Sequence, residues 1–142
     1  MPYRIEELTA AHIPAVLDFW TGMEGIGLNE SDTPVRLTAF LDRNPGLSRV
    51  AFQGDALVGA VLCGHDGRRG TLHHLAVARS ARGQGIGRAL VEECLRALGA
   101  CGIQKCNIFL FADNAAGRTF WERAGWNHRV DLHVLQHACP AG

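Results

Sequence analysis

Apolar positions along this chain fall into two rhythms, and their alternation predicts the order of its elements. In residues 10–21, Ile13, Val16, Leu17 and Trp20 share one helical stripe, with Thr9 placed to cap it. Thr33-Pro34 opens a second helix, threonine at the cap and proline at the first position. Val35, Leu37, Phe40 and Leu41 form its apolar side, and Asn44-Pro45-Gly46 ends it. Ile86, Leu90, Val91, Cys94, Leu95 and Leu98 mark a third helix, stopped by Gly99. Asn114 caps a fourth that runs to about Ala124, with Gly125 after it. Strands are predicted at residues 3–8, 47–52, 56–62, 71–77, 106–111 and 130–136. A tight turn at Gly54-Asp55 joins the second strand to the third, and the nearly unbroken apolar run from Cys106 to Phe111 marks a central strand. The order is βααββ-βαβαβ, without repeats or linkers. It predicts a mixed α/β domain with its ligand crevice at the strand ends.

Composition narrows the class. A chain of 142 residues with 47% hydrophobic and 20% charged residues has the makings of one well-cored globular domain. No apolar stretch is long enough to span a bilayer and the first residues are no signal peptide, so the expectation is a cytoplasmic protein without membrane contact. Five cysteines with no Cys-x-x-Cys pair read as free thiols, Cys94 and Cys106 buried in apolar patterns. His128, His133, His137 and Cys139 have no closed zinc spacing, and no metal is expected. The net charge is zero, yet residues 1–42 carry seven acids and two bases, leaving seven acids and twelve bases for the rest. A polyphosphate ligand on the back part and a cationic amine on the front suit that division, as do two ordinary solvated faces. One lysine and no basic run argue against nucleic acid.

The chemistry concentrates in Arg82-Gly83-Gln84-Gly85-Ile86-Gly87-Arg88, between the fourth predicted strand and the third helix. A glycine-rich turn there presents backbone N–H groups at the positive end of a helix, and the natural guest is a phosphate or pyrophosphate. A dinucleotide fingerprint needs glycine where Arg88 stands, and a P-loop needs a lysine this stretch lacks. What remains is Arg82-x-x-Gly85-x-Gly87. With Leu75-Ala76-Val77 before it and Asn114 and Gly125-Trp126 after it, it resembles the acyl-CoA loop of the GNAT superfamily of N-acetyltransferases.

The resemblance is best over residues 71–126. It implies a GNAT fold, a central mixed, mostly antiparallel sheet flanked by about four helices. Residues 1–142 are then a single N-acetyltransferase domain, with 1–45 a variable substrate-side part and 71–126 an acetyl-CoA-binding core. It further implies that Leu75, Ala76 and Val77 pair with the pantetheine arm of acetyl-CoA. The loop of Arg82, Gly83, Gln84, Gly85, Ile86, Gly87 and Arg88 would hold the pyrophosphate, with Arg79 beside it. Asn114 matches the asparagine that bonds the pantetheine arm. Residues 114–126 resemble the family's second motif, nearest a bacterial subgroup with Phe-Trp ahead of Gly-Trp.

Two departures from that family matter. Trp121 stands where many relatives place a tyrosine that protonates the departing thiolate; an indole is no acid near neutral pH, and Trp121 is expected to pack on the cofactor arm instead. Thiolate, with a thiol pKa near ~8.5, leaves tolerably without help. Phe109 stands where relatives acting on protein N-termini carry a glutamate base. Relatives acting on aromatic alkylamines use a strand histidine, which His73 matches, and imidazole titrating near about pH 6.5 suits proton removal. Strand alternation lets only one of His73 and His74 face the crevice unless a bulge intervenes. Trp20, Met23, Glu24 and Leu28 form the expected substrate wall, with Glu24, Glu30 and Asp32 as the fallback source of a base. The expected activity is acetyl transfer to a primary amine of a small molecule in a ternary complex. A protein N-terminus as acceptor and an inert acyl-CoA-binding module are the alternatives, and a homodimer stays open.

Overall fold

The computed structural model describes residues 2–142 and divides into two compact units, Met1–Phe111 and Ala112–Gly142. In the first unit, strand β1 (Arg4–Glu7) leads through a short 3-10 turn into α1 (Ile13–Trp20). Helix α2 (Pro34–Arg43) follows, then β2 (Arg49–Gln53), β3 (Ala56–His65), β4 (Gly70–Val77), α3 (Ile86–Ala100) and β5 (Cys106–Ile108). The sheet order is β1-β2-β3-β4-β5, antiparallel except for the parallel β4–β5 pair.

The helices cover the sheet from two sides. One face gathers Leu8, Ile13, Val16, Trp20, Leu37, Leu41, Val50, Ala60, Leu62 and Ala76 into a cluster under α1 and α2. Helix α3 packs on β2, β3 and β4 through its own apolar stripe of Ile86, Leu90, Val91, Cys94 and Leu98. That approach is close: a Cβ built on Gly59 would lie 2.9 Å from Leu90 Cδ1, so glycine makes room for the helix. Helix α3 stops not at Gly99 but at Gly102, which takes φ +83°. The Ile103 N–H then reaches Leu98 O at 3.0 Å and the Gly102 N–H reaches Gly99 O at 3.0 Å, a Schellman ending that needs the left-handed residue.

Strand β5 departs from expectation. It is three residues long and lies at the sheet edge instead of the centre, with Phe109 67% and Phe111 60% exposed beyond it. Apolar content alone does not distinguish a strand flanked on both sides from a short one whose continuation covers a neighbouring loop.

The second unit holds α4 (Ala115–Arg123). The Asn114 side chain accepts the Gly117 N–H at 2.9 Å and so caps it. Its far end repeats the α3 device: Gly125 has φ +95°, the Trp126 N–H reaches Trp121 O at 3.0 Å, and the two indoles meet at 4.9 Å. The Trp-x-x-x-Gly-Trp pattern is therefore a helix stop with its apolar staple. The predicted strand at residues 130–136 is not formed; Val130, Leu132, Val134 and Leu135 are all exposed. A period-two pattern selects a face, but a strand exists only through a ladder with a partner.

Candidate functional site

Strand β4 is paired along its whole length with β3 but only briefly with β5. The β5 ladder runs Gly70↔Cys106, Thr71↔Asn107 and Leu72↔Ile108 and stops, leaving residues 73–77 with a backbone edge no strand of the described residues uses. Peptide-like amides could pair there. At the end of this edge the Arg79–Ala81 turn leads into the glycine loop. Gly83 and Gly85 take φ +80° and +81°, and Gly85 is the residue that starts α3, with no side chain to cap it. The first bond of the helix is Ala89 N–H to Gly85 O at 3.0 Å, and none of the N–H groups of residues 83–88 donates to a described residue. A 15-residue helix thus turns its positive end and an unused set of donors outward, with Arg82 and Arg88 beside them.

A bulge in β4 decides where the histidines lie. Leu62 pairs with His73 and Ala60 with Ala76, so His74 and Leu75 share the place opposite Val61, and His74 takes φ 57°. Both rings then reach the face under α1 and α2. His73 stands edge-on to Phe40 at 5.9 Å, and His74 stands edge-on to Trp20 at 5.2 Å. The alternation that would have separated them is cancelled by one extra residue. Burial, reinforced by the neighbouring His74, pushes the His73 pKa below its ordinary value, so that ring is neutral near pH 7.

Residues 21–33 wall this face and are tied to β4 and to the turns that follow it at separate points. Glu24 pairs with Arg79, Met23 Sδ lies 3.8 Å from the Arg82 guanidinium, and Asp32 meets His74. The Phe111 ring lies over Gly27, where an added Cβ would come within 2.7 Å of it. Of the expected wall residues, Met23, Glu24 and Leu28 sit on this segment. Trp20 does not line it: it is fully buried in the core cluster and backs His74. Phe111 went unread because it looked like strand interior. The Asp32–His74 pair joins residues 42 apart in sequence, beyond any local pattern.

In the second unit Asn114 caps α4, and Trp121, 8% exposed, sits between Phe120 at 5.2 Å and Trp126. The cysteines are all free: Cys94 is buried, and burial, with Cys63 nearby, pushes Cys106 up to about 12. Among the described residues no group of three or more His, Cys, Asp or Glu could hold a metal ion, and no helix is long and apolar enough to cross a membrane.

A mixed sheet, a β4 edge unpaired beyond Leu72 and a glycine turn opening an uncapped helix place this chain in the α/β class. The sequence profile of the acetyltransferase (GNAT) family matches residues 13–126, and the chain belongs to that family. It is 32% identical over 105 residues, 74% of each chain, to "Acetyltransferase SG1711" of Sodalis glossinidius. It is 35% identical over 92 residues, 61% of each chain, to "N-alpha-acetyltransferase 30" of Schizosaccharomyces pombe. Among solved structures, the PaiA N-acetyltransferase of Thermoplasma acidophilum in complex with coenzyme A superposes with TM-score 0.72 at 18% identity, covering 87% of this chain and 88% of that one. AAC(6')-Iy, in complex with the bisubstrate analogue CoA-S-monomethyl-acetylneamine, gives TM-score 0.75 at 14% identity over 98% of this chain and 100% of that one.

Proposed function

We propose that this chain moves an acetyl group from acetyl-CoA to the primary amine of a small molecule by direct attack within a ternary complex. The observation that carries the reading is the continuity of the unpaired β4 edge, residues 73–77, with the uncapped start of α3. An extended pantetheine arm carries amides that match a strand edge, and a pyrophosphate matches a helix N-terminus. The residues fit the donor: Leu75, Ala76 and Val77 offer the edge, residues 83–88 offer N–H groups, and Gly83 and Gly85 hold the left-handed turns the loop needs.

The acceptor enters along residues 21–33, where Met23 and Leu28 suit an apolar portion and the acids suit a cation. The neutral amine attacks the thioester carbon, a β4 N–H at Leu75 steadies the oxyanion, a β4 imidazole takes the amine proton, and CoA leaves as thiolate. Co-binding supplies most of the acceleration, since holding two reactants together is worth about 7–11 kcal/mol. The fission-yeast relative's name suggests a protein N-terminus as acceptor, but Phe109 offers no proton acceptor where that activity would want one.

Thiol release from acetyl-CoA tests the reading, with a panel of arylalkylamines, polyamines, amino-acid amides and short peptides with free N-termini. Amine-dependent release with small amines supports it. Release with peptides alone moves the acceptor to protein N-termini, and acetyl-CoA binding without release from any amine leaves only a binding module.

A further inference from the structure

Asp32 and His74 form the most enclosed ion-pairing contact of the first unit. The His74 Nε2 lies 3.0 Å from both Asp32 carboxylate oxygens, with side-chain exposures of 14% and 7%. The carboxylate is itself held: Asp32 Oδ2 accepts the Asn29 N–H at 2.9 Å, and the Asp32 N–H reaches Asn29 O at 3.0 Å. Beside the pair lies Trp20, whose indole N–H is buried without an acceptor among the described residues. A buried donor without an acceptor is costly. The backbone adds to that cost, because His74 is the one non-glycine residue with positive φ among the described residues. A strained backbone and an enclosed carboxylate partner meet at one imidazole next to the free β4 edge, which calls for a role beyond packing.

We propose that His74 is the residue that takes the amine proton and that Asp32 is its positioning residue; the proposal rests on the acetyl-transfer reading above. When the ring is neutral, the carboxylate binds the Nε2–H and so fixes one tautomer, which leaves the lone pair on Nδ1. His74 Nδ1 makes no hydrogen bond to a described residue, whereas a base in use needs that nitrogen for the substrate. As the N–C bond forms, the C–S bond breaks and the amine proton passes to Nδ1. The imidazolium that results faces the Asp32 carboxylate, which stays unprotonated, and CoA departs as thiolate. The imidazolium then returns its proton to solvent. This is the base-plus-orienter arrangement of nucleophilic enzymes, applied to an amine. Among the described residues His73 has no such hydrogen-bonding partner; its ring contacts there are Phe40 and His74.

The test uses the full chain with acetyl-CoA and the amine from the panel that gives the fastest thiol release. His74→Asn tolerates the left-handed backbone and cannot take a proton near neutral pH; it is expected to lower kcat by ~10²-fold or more with acetyl-CoA affinity unchanged. Asp32→Asn keeps an acceptor for Nε2–H but removes the charge. It should lower kcat ~10-fold or more at nearly constant acceptor KM, and Asp32→Glu should recover part of that loss. Nitrogen NMR of histidine-labelled protein should show the His74 ring in the Nε2–H form, and in mixed tautomers in Asp32→Ala. Circular dichroism confirms that each variant is folded. A His74→Asn enzyme within threefold of the parent, or a His74 ring in the Nδ1–H form, overturns the assignment. No release by the parent with any amine overturns the acetyl-transfer reading itself, and this assignment with it.

Discussion

At the start of α2 the Thr33 hydroxyl accepts the Arg36 N–H at 3.2 Å and Pro34 brings no donor to satisfy. Helix α3, the longer at 15 residues, starts at Gly85 with no side chain to offer. One helix closes its own positive end. The other leaves it open, beside a strand edge that is also open. A cap is worth about 1 kcal/mol, so a protein that omits one at its longest helix forgoes stability at a particular place. What that place gains is a set of backbone N–H groups left free for the phosphates of the proposed donor. The contrast singles out the start of α3 for the proposed donor more sharply than the glycines do alone.

The largest effect should come from closing the open end. Gly85→Glu forces a side chain onto a φ of +81° and puts a carboxylate where phosphate would lie. Acetyl-CoA affinity should fall by at least ~10²-fold, beyond the ~1–2 kcal/mol of backbone strain, because like charges oppose. Thermal unfolding with and without acetyl-CoA reads this directly: the ligand-dependent rise in Tm of the parent should vanish. At the closed end, Thr33→Ala should cost about 1 kcal/mol in stability and leave acetyl-CoA affinity where it was. A loss of affinity there would break the contrast.

Among the described residues, a hydrogen-bonded and an unbonded imidazole, His74 and His73, also sit side by side on β4. The His73 pKa is depressed on folding, chiefly by burial, so the unfolded chain binds a proton more readily than the folded one. Stability should therefore be level above the ordinary imidazole value near 6.5 and fall as pH drops from there toward the lower folded value. His73→Phe should flatten that slope in denaturant melts; an unchanged slope would assign the acid sensitivity elsewhere. The smallest effect belongs to Glu24→Gln. Its pair with Arg79 is largely exposed, so stability should change by less than about 1 kcal/mol, and less still in high salt. Acetyl-CoA affinity should hold or rise slightly as Arg79 is freed toward phosphate.

The helices and the glycine turn ahead of α3 were legible because their signals are local. Thr33-Pro34, Asn114 and Gly125 each act within one turn of where they stand, and the loop glycines state their own φ. Gly99 misled because a glycine inside the last turn looks like a stop, while the left-handed residue is Gly102. The histidine pair was half legible. Its residue types and its strand could be read, but its faces depend on a bulge that only the β3 register reveals. Asp32 as a partner of His74 could not be read, since 42 residues separate them and only the packing of residues 21–33 on β4 brings them together. The strand at residues 130–136 failed for a related reason, as alternation without a ladder is insufficient.

Calorimetric titration of the folded parent with acetyl-CoA tests the central claim most directly. The open β4 edge and the uncapped start of α3 predict saturable one-site binding. The affinity should fall as ionic strength rises, because charged arginines and a helix end contribute to holding the phosphates. An absence of heat at millimolar acetyl-CoA, with the protein shown to be folded, would contradict the account.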